Sequence, residues 1–240
     1  MTPVDQLRLE KAATDCGFEM TPVVRADCLE LRSARFADRV RVRVAGALVF
    51  QVMVENPQLL EAGDGSTTAT VEGYQALYEV LRTAAALART LPNRVADRFR
   101  AQTAALPRLT EAERSTVQRI GQDLFRAALL DYWRGRCCVT GLDLPPLLRA
   151  SHIKPWAACD SDDERLDVFN GLLLAPHIDA LFDGGWISFQ DDGQLLMADA
   201  LPVDAARRLG VTGQCGVASL KPEHRRYLAF HRQQVLRKGA

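Results

Sequence analysis

Histidine is scarce in this chain and is confined to its C-terminal half. The 240 residues include only four histidines, and all four lie beyond residue 150. The imidazole group is the commonest general base near neutral pH and a frequent metal ligand. We therefore expect any histidine-dependent acid–base chemistry to lie in the second half.

One short segment places a histidine beside two carboxylates. In "PHIDALFD", at 176–183, His177 is followed by Asp179 and Asp183. The two aspartates are four residues apart, so on a helix they share one face and can bind one cation. A divalent ion on oxygen ligands, with a neutral histidine to deprotonate water, is typical of phosphodiester hydrolysis. The structural alternative is that His177 caps the helix and the aspartates stabilise its dipole.

The surrounding pattern predicts the elements that position these residues. Strands are predicted for "RCCVT" (136–140) and for "LLRAS" (147–151), which leads into His152. After a polar loop, "NGLLL" (170–174) is extended, and a helix begins at Pro176. "WISF" and "QLLMA", separated by "DDG", predict a hairpin.

The first half has a different pattern. Thr2 and Pro3 begin a helix that Gly17 ends. Strands are predicted across 27–54 and helices across 70–105. We therefore predict an α+β protein in which residues 1–108 form a mixed N-terminal domain of a helix, antiparallel strands and further helices. Residues 109–240 form the second domain, whose first helix starts at a capping box of Thr110 and Glu113.

The second half resembles the HNH endonuclease family, in its restriction-endonuclease-like branch. The segments that carry the resemblance are "CCVTG", "LLRASHIKPW" and "ERLDVFNGLLLAPHIDALFDGGWISF", and it extends over about residues 118–235. The resemblance implies a ββα-metal fold, with flanking helices, in which a hairpin and a helix hold one divalent ion. Mg²⁺ is the expected ion, and Mn²⁺, Ni²⁺ or Zn²⁺ are alternatives.

The resemblance also implies a role for each matching residue. His152 takes the position of the general base, and Asn170 that of the asparagine that orients the loop and the base. Asp179 takes the third motif position, nine residues later, and Asp183 follows one turn on. His177, two residues early, is included with them as a metal ligand and catalytic residue. Ser151 departs from the pattern, since many members place Asp or His immediately before the base.

Several basic residues are candidates for contacts with phosphate groups, since Arg and Lys supply most backbone contacts to nucleic acid. Structural ion pairs and solvated charges are the alternative for each. Those near the motif are Arg126, Arg149, Lys154 and Arg165. A stripe of Arg39, Arg41 and Arg43 alternates with valines on a predicted strand, so it forms either a phosphate-binding face or an ordinary solvated face.

The composition sets the remaining expectations. Hydrophobic residues make up 48% of the chain, and the formal net charge is zero. No apolar run reaches the length of a membrane span, and the first twenty residues lack a signal-peptide pattern. We expect a cytoplasmic protein with no membrane partner.

The sequence thus predicts a metal-dependent DNA endonuclease, with a role in restriction or defence. Because one ββα-metal site cuts one strand, cleavage of both strands would require a dimer or two successive nicks, and of these we expect a homodimer. The alternatives are a catalytically inactive HNH-fold DNA-binding regulator, and a nuclease that acts on RNA or single strands.

Overall fold

The computed structural model describes residues 2–60, 65–91, 94–107, 110–213, 215–217 and 220–238. The chain forms two compact units, Met1–Arg89 and Thr90–Ala240. Both helices and sheets contribute to the fold, which confirms the predicted α+β class. No helix among the described residues is long and apolar enough to cross a membrane.

The first unit contains a five-stranded antiparallel sheet whose strands follow one another in chain order. Helix α1 precedes the sheet and helix α2 follows it. The helices are α1 (Pro3–Asp15) and α2 (Gly73–Thr90), and the strands are β1 (Met20–Val24), β2 (Leu29–Arg32), β3 (Val40–Gly46), β4 (Val49–Val54) and β5 (Thr68–Glu72).

Alternation along the strands gives this sheet two different faces. Leu29 and Leu31 on β2, like Val40 and Val42 on β3, are buried on the apolar face. Buried residues of α1 and α2 complete this core, and Tyr74 of α2 lies 5.0 Å from Phe50 between ring centroids. The opposite face carries the charged residues that alternate with them.

The second unit is built around a short hairpin between two helices. Strand β6 (Arg149–His152) pairs antiparallel with β7 (Gly171–Leu174), and α6 (Pro176–Asp183) follows at once. Two helices precede the hairpin, α3 (Arg94–Thr103) and α4 (Glu111–Tyr132), and the short helix α5 (Asp162–Arg165) lies in the loop between β6 and β7. The elements after α6 are β8 (Ile187–Phe189), β9 (Leu195–Met197), α7 (Val203–Arg208) and α8 (Arg225–Gln234).

Helix α4 packs directly on the hairpin. It begins at the predicted capping box, in which Thr110 and Glu113 exchange hydrogen bonds. A Cβ added to Gly171 would lie 2.6 Å from Phe125 and 2.7 Å from Leu129, so the close packing requires glycine there. The order strand, strand, helix is the predicted ββα arrangement.

Three predictions differ from the structure. "RCCVT" forms turns in place of a strand, since Cys137 receives a hydrogen bond at its carbonyl from the Gly141 amide (2.9 Å). Strand β5 occupies residues 68–72, where a helix was predicted from residue 70. The units divide after Arg89, whereas the predicted boundary lies at 108–109, two residues outside the described chain. The difference arises because Phe99 of α3 belongs to the core of the second unit.

Candidate active site

The hairpin and α6 bring the motif residues into one region. His152, the last residue of β6, pairs with Gly171, the first residue of β7. Asn170 immediately precedes β7, and the aspartates lie on α6. Residues that are far apart in sequence thus lie on three adjoining elements.

One ring nitrogen of His152 makes a hydrogen bond to the backbone, which fixes the ring. Its Nε2 lies 2.8 Å from the Arg165 carbonyl oxygen, and because a carbonyl can only accept, Nε2 carries the proton. The neutral ring therefore has its lone pair on Nδ1, which has no hydrogen-bond partner among the described residues. The ring stacks on Phe125 at 3.9 Å and meets the edge of Trp156 at 5.5 Å. Burial lowers the pKa of His152 to about 4, against the weaker opposing effect of the carbonyl bond, so the ring is neutral at pH 7.

Asn170 cross-links the loop between β6 and β7 through hydrogen bonds from its side chain to the backbone of that loop. The side chain is fully buried. Its Oδ1 accepts from the Lys154 amide at 2.7 Å, and its Nδ2 lies within donor distance of the Lys154 carbonyl (3.2 Å), the Glu164 carbonyl (3.1 Å) and Cys159 Sγ (3.4 Å). The backbone on both sides of the loop is therefore fixed, including the segment that carries the Arg165 carbonyl.

Two carboxylates and a serine form a cluster between β6 and α6. The buried Ser151 hydroxyl donates to Asp183 Oδ1 at 2.9 Å. Burial and then the charge of Asp183 raise the pKa of Asp179, with Ser151 and Arg149 opposing. Burial of the carboxyl group also raises the pKa of Asp183, although the residue as a whole is exposed. The two negative charges thus lie close together without enough compensation from the protein.

The comparison with known families agrees with this geometry. Residues 137–190 match the model of the HNH endonuclease family. This stretch, 54 of the 240 residues, is similar to the HNH endonuclease family. No curated protein was found to match the chain. The matched range contains β6, β7, α6 and the four residues His152, Asn170, Asp179 and Asp183, so the predicted family is confirmed over this part of the chain.

The donor set of the HNH domain suits one divalent ion only in part. HNH nucleases generally use such ions. Among the described residues, however, no three His, Cys, Asp or Glu side chains are close enough together to hold a metal. Ser151 stands where many family members have an acidic or histidine ligand before the base, and its hydroxyl contacts Asp183 instead of supplying a negative charge. The structure thus offers a carboxylate pair with a neutral oxygen beside it.

His177 is not brought together with the aspartates. It is exposed at the second position of α6. Successive helical residues are rotated by about 100°, so His177 and Asp179 point in nearly opposite directions. The geometry therefore does not support the prediction that His177 acts as a ligand or a catalytic residue.

Three of the four predicted phosphate-binding cations near the motif have structural partners. Lys154 Nζ bonds both Glu164 oxygens at 2.9 Å, and the Arg165 guanidinium bonds the Cys159 carbonyl at 2.7 Å. Arg126 donates to the Leu148 carbonyl at 2.6 Å and to that of Pro145. These contacts favour the structural alternative. Arg149 is exposed, and it is near enough to lower the pKa of Asp179.

Sequence reasoning missed two contributions to the site. The Arg165 backbone carbonyl, and not its side chain, holds His152, and Phe125 of α4 supplies the stacking surface. The amphipathic pattern of α4 was visible, but nothing in it identifies Phe125 as a neighbour of His152. His224 and His231 are buried among aromatic rings.

Proposed function

We propose that the chain is a metal-dependent endonuclease that hydrolyses DNA phosphodiester bonds, with His152 as the general base. The observation that carries the proposal is the fixed neutral imidazole of His152, next in sequence to Ser151, which contacts Asp183. His152 thus has a free lone pair on Nδ1, and the adjacent Ser151 holds one of two carboxylates of raised pKa, within a segment that matches the HNH family.

Asp179 and Asp183 would hold the divalent ion. Their raised pKa values show that the two negative charges are poorly compensated in the protein, and a bound cation would relieve this. When bound, the ion would stabilise the negative charge that develops on the phosphorus oxygens and on the leaving oxygen. Ser151 would orient Asp183 through its hydrogen bond.

His152 would take a proton from the attacking water at Nδ1. The bond from Nε2 to the Arg165 carbonyl fixes the ring in its plane and also stabilises the imidazolium that forms. Water attack forms the new P–O bond, and the bond to the leaving oxygen breaks. Asn170 would keep the loop, and hence that carbonyl, in place.

The experiment incubates the purified protein with supercoiled plasmid, with Mg²⁺ or Mn²⁺ and with EDTA. We expect metal-dependent nicking or linearisation that His152→Ala abolishes. His177→Ala is the matched control, because it removes an exposed histidine of the same domain, and we expect it to retain cleavage. Cleavage by a folded His152→Ala protein would contradict the proposal. Sequencing the fragment ends tests the proposed role in restriction, which predicts cleavage at defined sites.

A second candidate is a DNA-binding regulator that has lost catalysis, favoured by Ser151 in place of an acidic ligand. Thermal melting with Mg²⁺, Mn²⁺, Ni²⁺ and Zn²⁺ separates the two, since an ion that binds only the folded state raises its stability. The nuclease proposal predicts a metal-selective rise in melting temperature that Asp179→Asn removes. The regulator proposal predicts no rise in melting temperature and no cleavage. Parallel assays with RNA and single-stranded DNA test the remaining substrate alternative, and light scattering tests the predicted homodimer.

A further inference from the structure

An open cavity of about 550 Å³ lies on the charged face of the sheet in the first unit. Four guanidinium groups and two carboxylates line it, so its charged side chains have an excess of two positive charges. The lining arginines are Arg25, Arg39, Arg41 and Arg43, and the carboxylates are Asp27 and Glu30. All of these residues belong to the first unit, which does not include the HNH match at 137–190.

One buried carboxylate organises three of the arginines. The Glu30 side chain is only 2% exposed, and its oxygens lie 3.2 Å from Arg41, 3.3 Å from Arg25 and 3.8 Å from Arg39. A buried carboxylate needs a paired cation, but one arginine would meet that need. The convergence of three cations on Glu30 therefore exceeds what its burial requires.

The arginines keep much of their binding capacity. Their side chains remain 40–54% exposed, in contrast to Glu30 beneath them. Each guanidinium has five N–H donors, and the carboxylates in the cavity occupy only some of them. Arg43, which pairs with Asp27, also has a buried Nε–H with no partner among the described residues. Half-exposed guanidinium groups thus line a cavity whose charged side chains have positive charge in excess, although Arg41 also pairs with Glu55 at 3.0 Å.

We propose that this cavity binds the phosphodiester backbone of a nucleic acid. Arg41 and Arg43 lie on the same face of β3, about 7 Å apart, and Arg39 continues the row. A row of guanidinium groups fits successive anionic groups along a chain better than it fits one small anion. The planar donor fork of arginine also matches the oxygens of a phosphate group. Glu30 acts as a positioning residue that holds the guanidinium groups in place.

The test measures binding of a labelled DNA duplex to the full chain by fluorescence anisotropy in EDTA, over a series of NaCl concentrations. Each lost phosphate contact reduces the slope of log K against log salt by about 0.9. We expect the Arg39→Ala/Arg43→Ala protein to lose about 1.8 from the slope, and its Kd to rise tens-fold at about 0.1 M salt. Arg35→Ala, which removes an exposed arginine outside the cavity, is the matched control and should change neither value.

The design separates this proposal from the nuclease proposal, because binding in EDTA does not depend on cleavage. An unchanged slope and Kd in the folded double variant would overturn it. So would loss of binding to labelled poly-glutamate with DNA binding unchanged, since that result would indicate an acidic protein partner. Should the double variant not fold, Arg39→Gln serves instead, because its one ion pair to Glu30 is long. It should reduce the slope by about 0.9, and an unchanged slope would overturn the proposal.

Discussion

The loop between β6 and β7 and the helix α6 both carry clustered charge. The charges of the loop are paired with one another, whereas those of α6 are poorly compensated. In the loop, Lys154 bonds Glu164 and Asp160, and Arg165 bonds Asp162. On α6, Asp179 and Asp183 have raised pKa values, which the Ser151 hydroxyl and, for Asp179, the charge of Arg149 oppose without cancelling the rise. Paired charge indicates structural support, whereas poorly compensated charge indicates where a ligand is expected to bind.

The largest effect should follow from removing one of the poorly compensated charges. Asp179→Asn should reduce metal-dependent cleavage at least hundredfold, since it removes a proposed ligand. A carboxyl group whose pKa is raised by folding destabilises the protein at pH values above that pKa. The same change should therefore raise the melting temperature of the metal-free protein at pH 7, by about 2–4 °C per kcal/mol.

Cleavage assays and thermal melting in EDTA test both parts of this prediction. Asp160→Asn is the control from the loop, because it removes a paired carboxylate that is 91% exposed. It should change cleavage little and should not raise the melting temperature. A fall in melting temperature for Asp179→Asn would show that the α6 charges are compensated after all.

Within the loop, the expected effect is on stability. Asn170→Ala removes the acceptor of the Lys154 amide and the side-chain donor of the Glu164 carbonyl, both partly buried. We expect the free energy of unfolding to fall by about 2–4 kcal/mol, as measured by urea denaturation. Asn170→Asp keeps the acceptor but loses the donors, so its effect should be intermediate. A loss below about 1 kcal/mol would mean that the loop does not depend on this side chain.

The buried histidines predict how stability depends on pH. Burial lowers the pKa of His224 to about 4, so between about pH 6.5 and 4 the unfolded chain binds a proton that the folded chain does not. Stability should be full above pH 6.5 and fall as the pH decreases through this range, by on the order of 3 kcal/mol for this group. His224→Phe should reduce the decrease by that amount, whereas His177→Phe, at an exposed position, should not. Urea denaturation at several pH values measures it.

The smallest effects should separate two arginines near the motif. Arg126→Ala removes the arginine donor of the Leu148 carbonyl, while the Pro145 carbonyl still accepts from the Leu148 amide, so stability should fall by about 1–2 kcal/mol with little change in KM. Arg149→Ala removes an exposed charge, so KM for DNA should rise several-fold with stability unchanged. Steady-state kinetics and thermal melting distinguish the outcomes, and a reversal of the two would contradict the assignment of paired and free cations.

Local sequence signals predicted much of the fold. The capping box at Thr110, the proline at the start of α6 and the turn at Gly17 (φ 96°) act within a few residues, and each is found as predicted. β5 and the turns at Cys137 were not predicted. β5 exists because residues 68–72 pair with β4, and the turns at Cys137 are fixed partly by the Ala175 amide, which bonds Cys137 Sγ at 3.2 Å. Contacts over such sequence separations leave no local pattern.

The same division applies to the candidate site. The two aspartates could be proposed from residue type and spacing, and His152 and Asn170 from the resemblance to the HNH family. These four lie on the adjoining elements β6, β7 and α6 or directly beside them. The hydrogen bonds and the pKa of each side chain could not be predicted from the sequence, because they depend on the folded environment. Spacing alone grouped His177 with Asp179, whereas helical rotation separates them. It also could not show that Ser151 would bond Asp183 across 32 residues.

The contact between His152 and the Arg165 carbonyl has a consequence for the catalytic cycle. A backbone carbonyl does not accept a proton to keep, so Nε2 cannot pass one onward, and His152 has no relay partner behind it. A proton captured at Nδ1 has to leave from Nδ1. In the mechanism that we propose, the cleaved strand would lie against that same nitrogen, so the base would return to its starting state only when solvent reaches it. Recovery of the base would thereby be coupled to departure of the product.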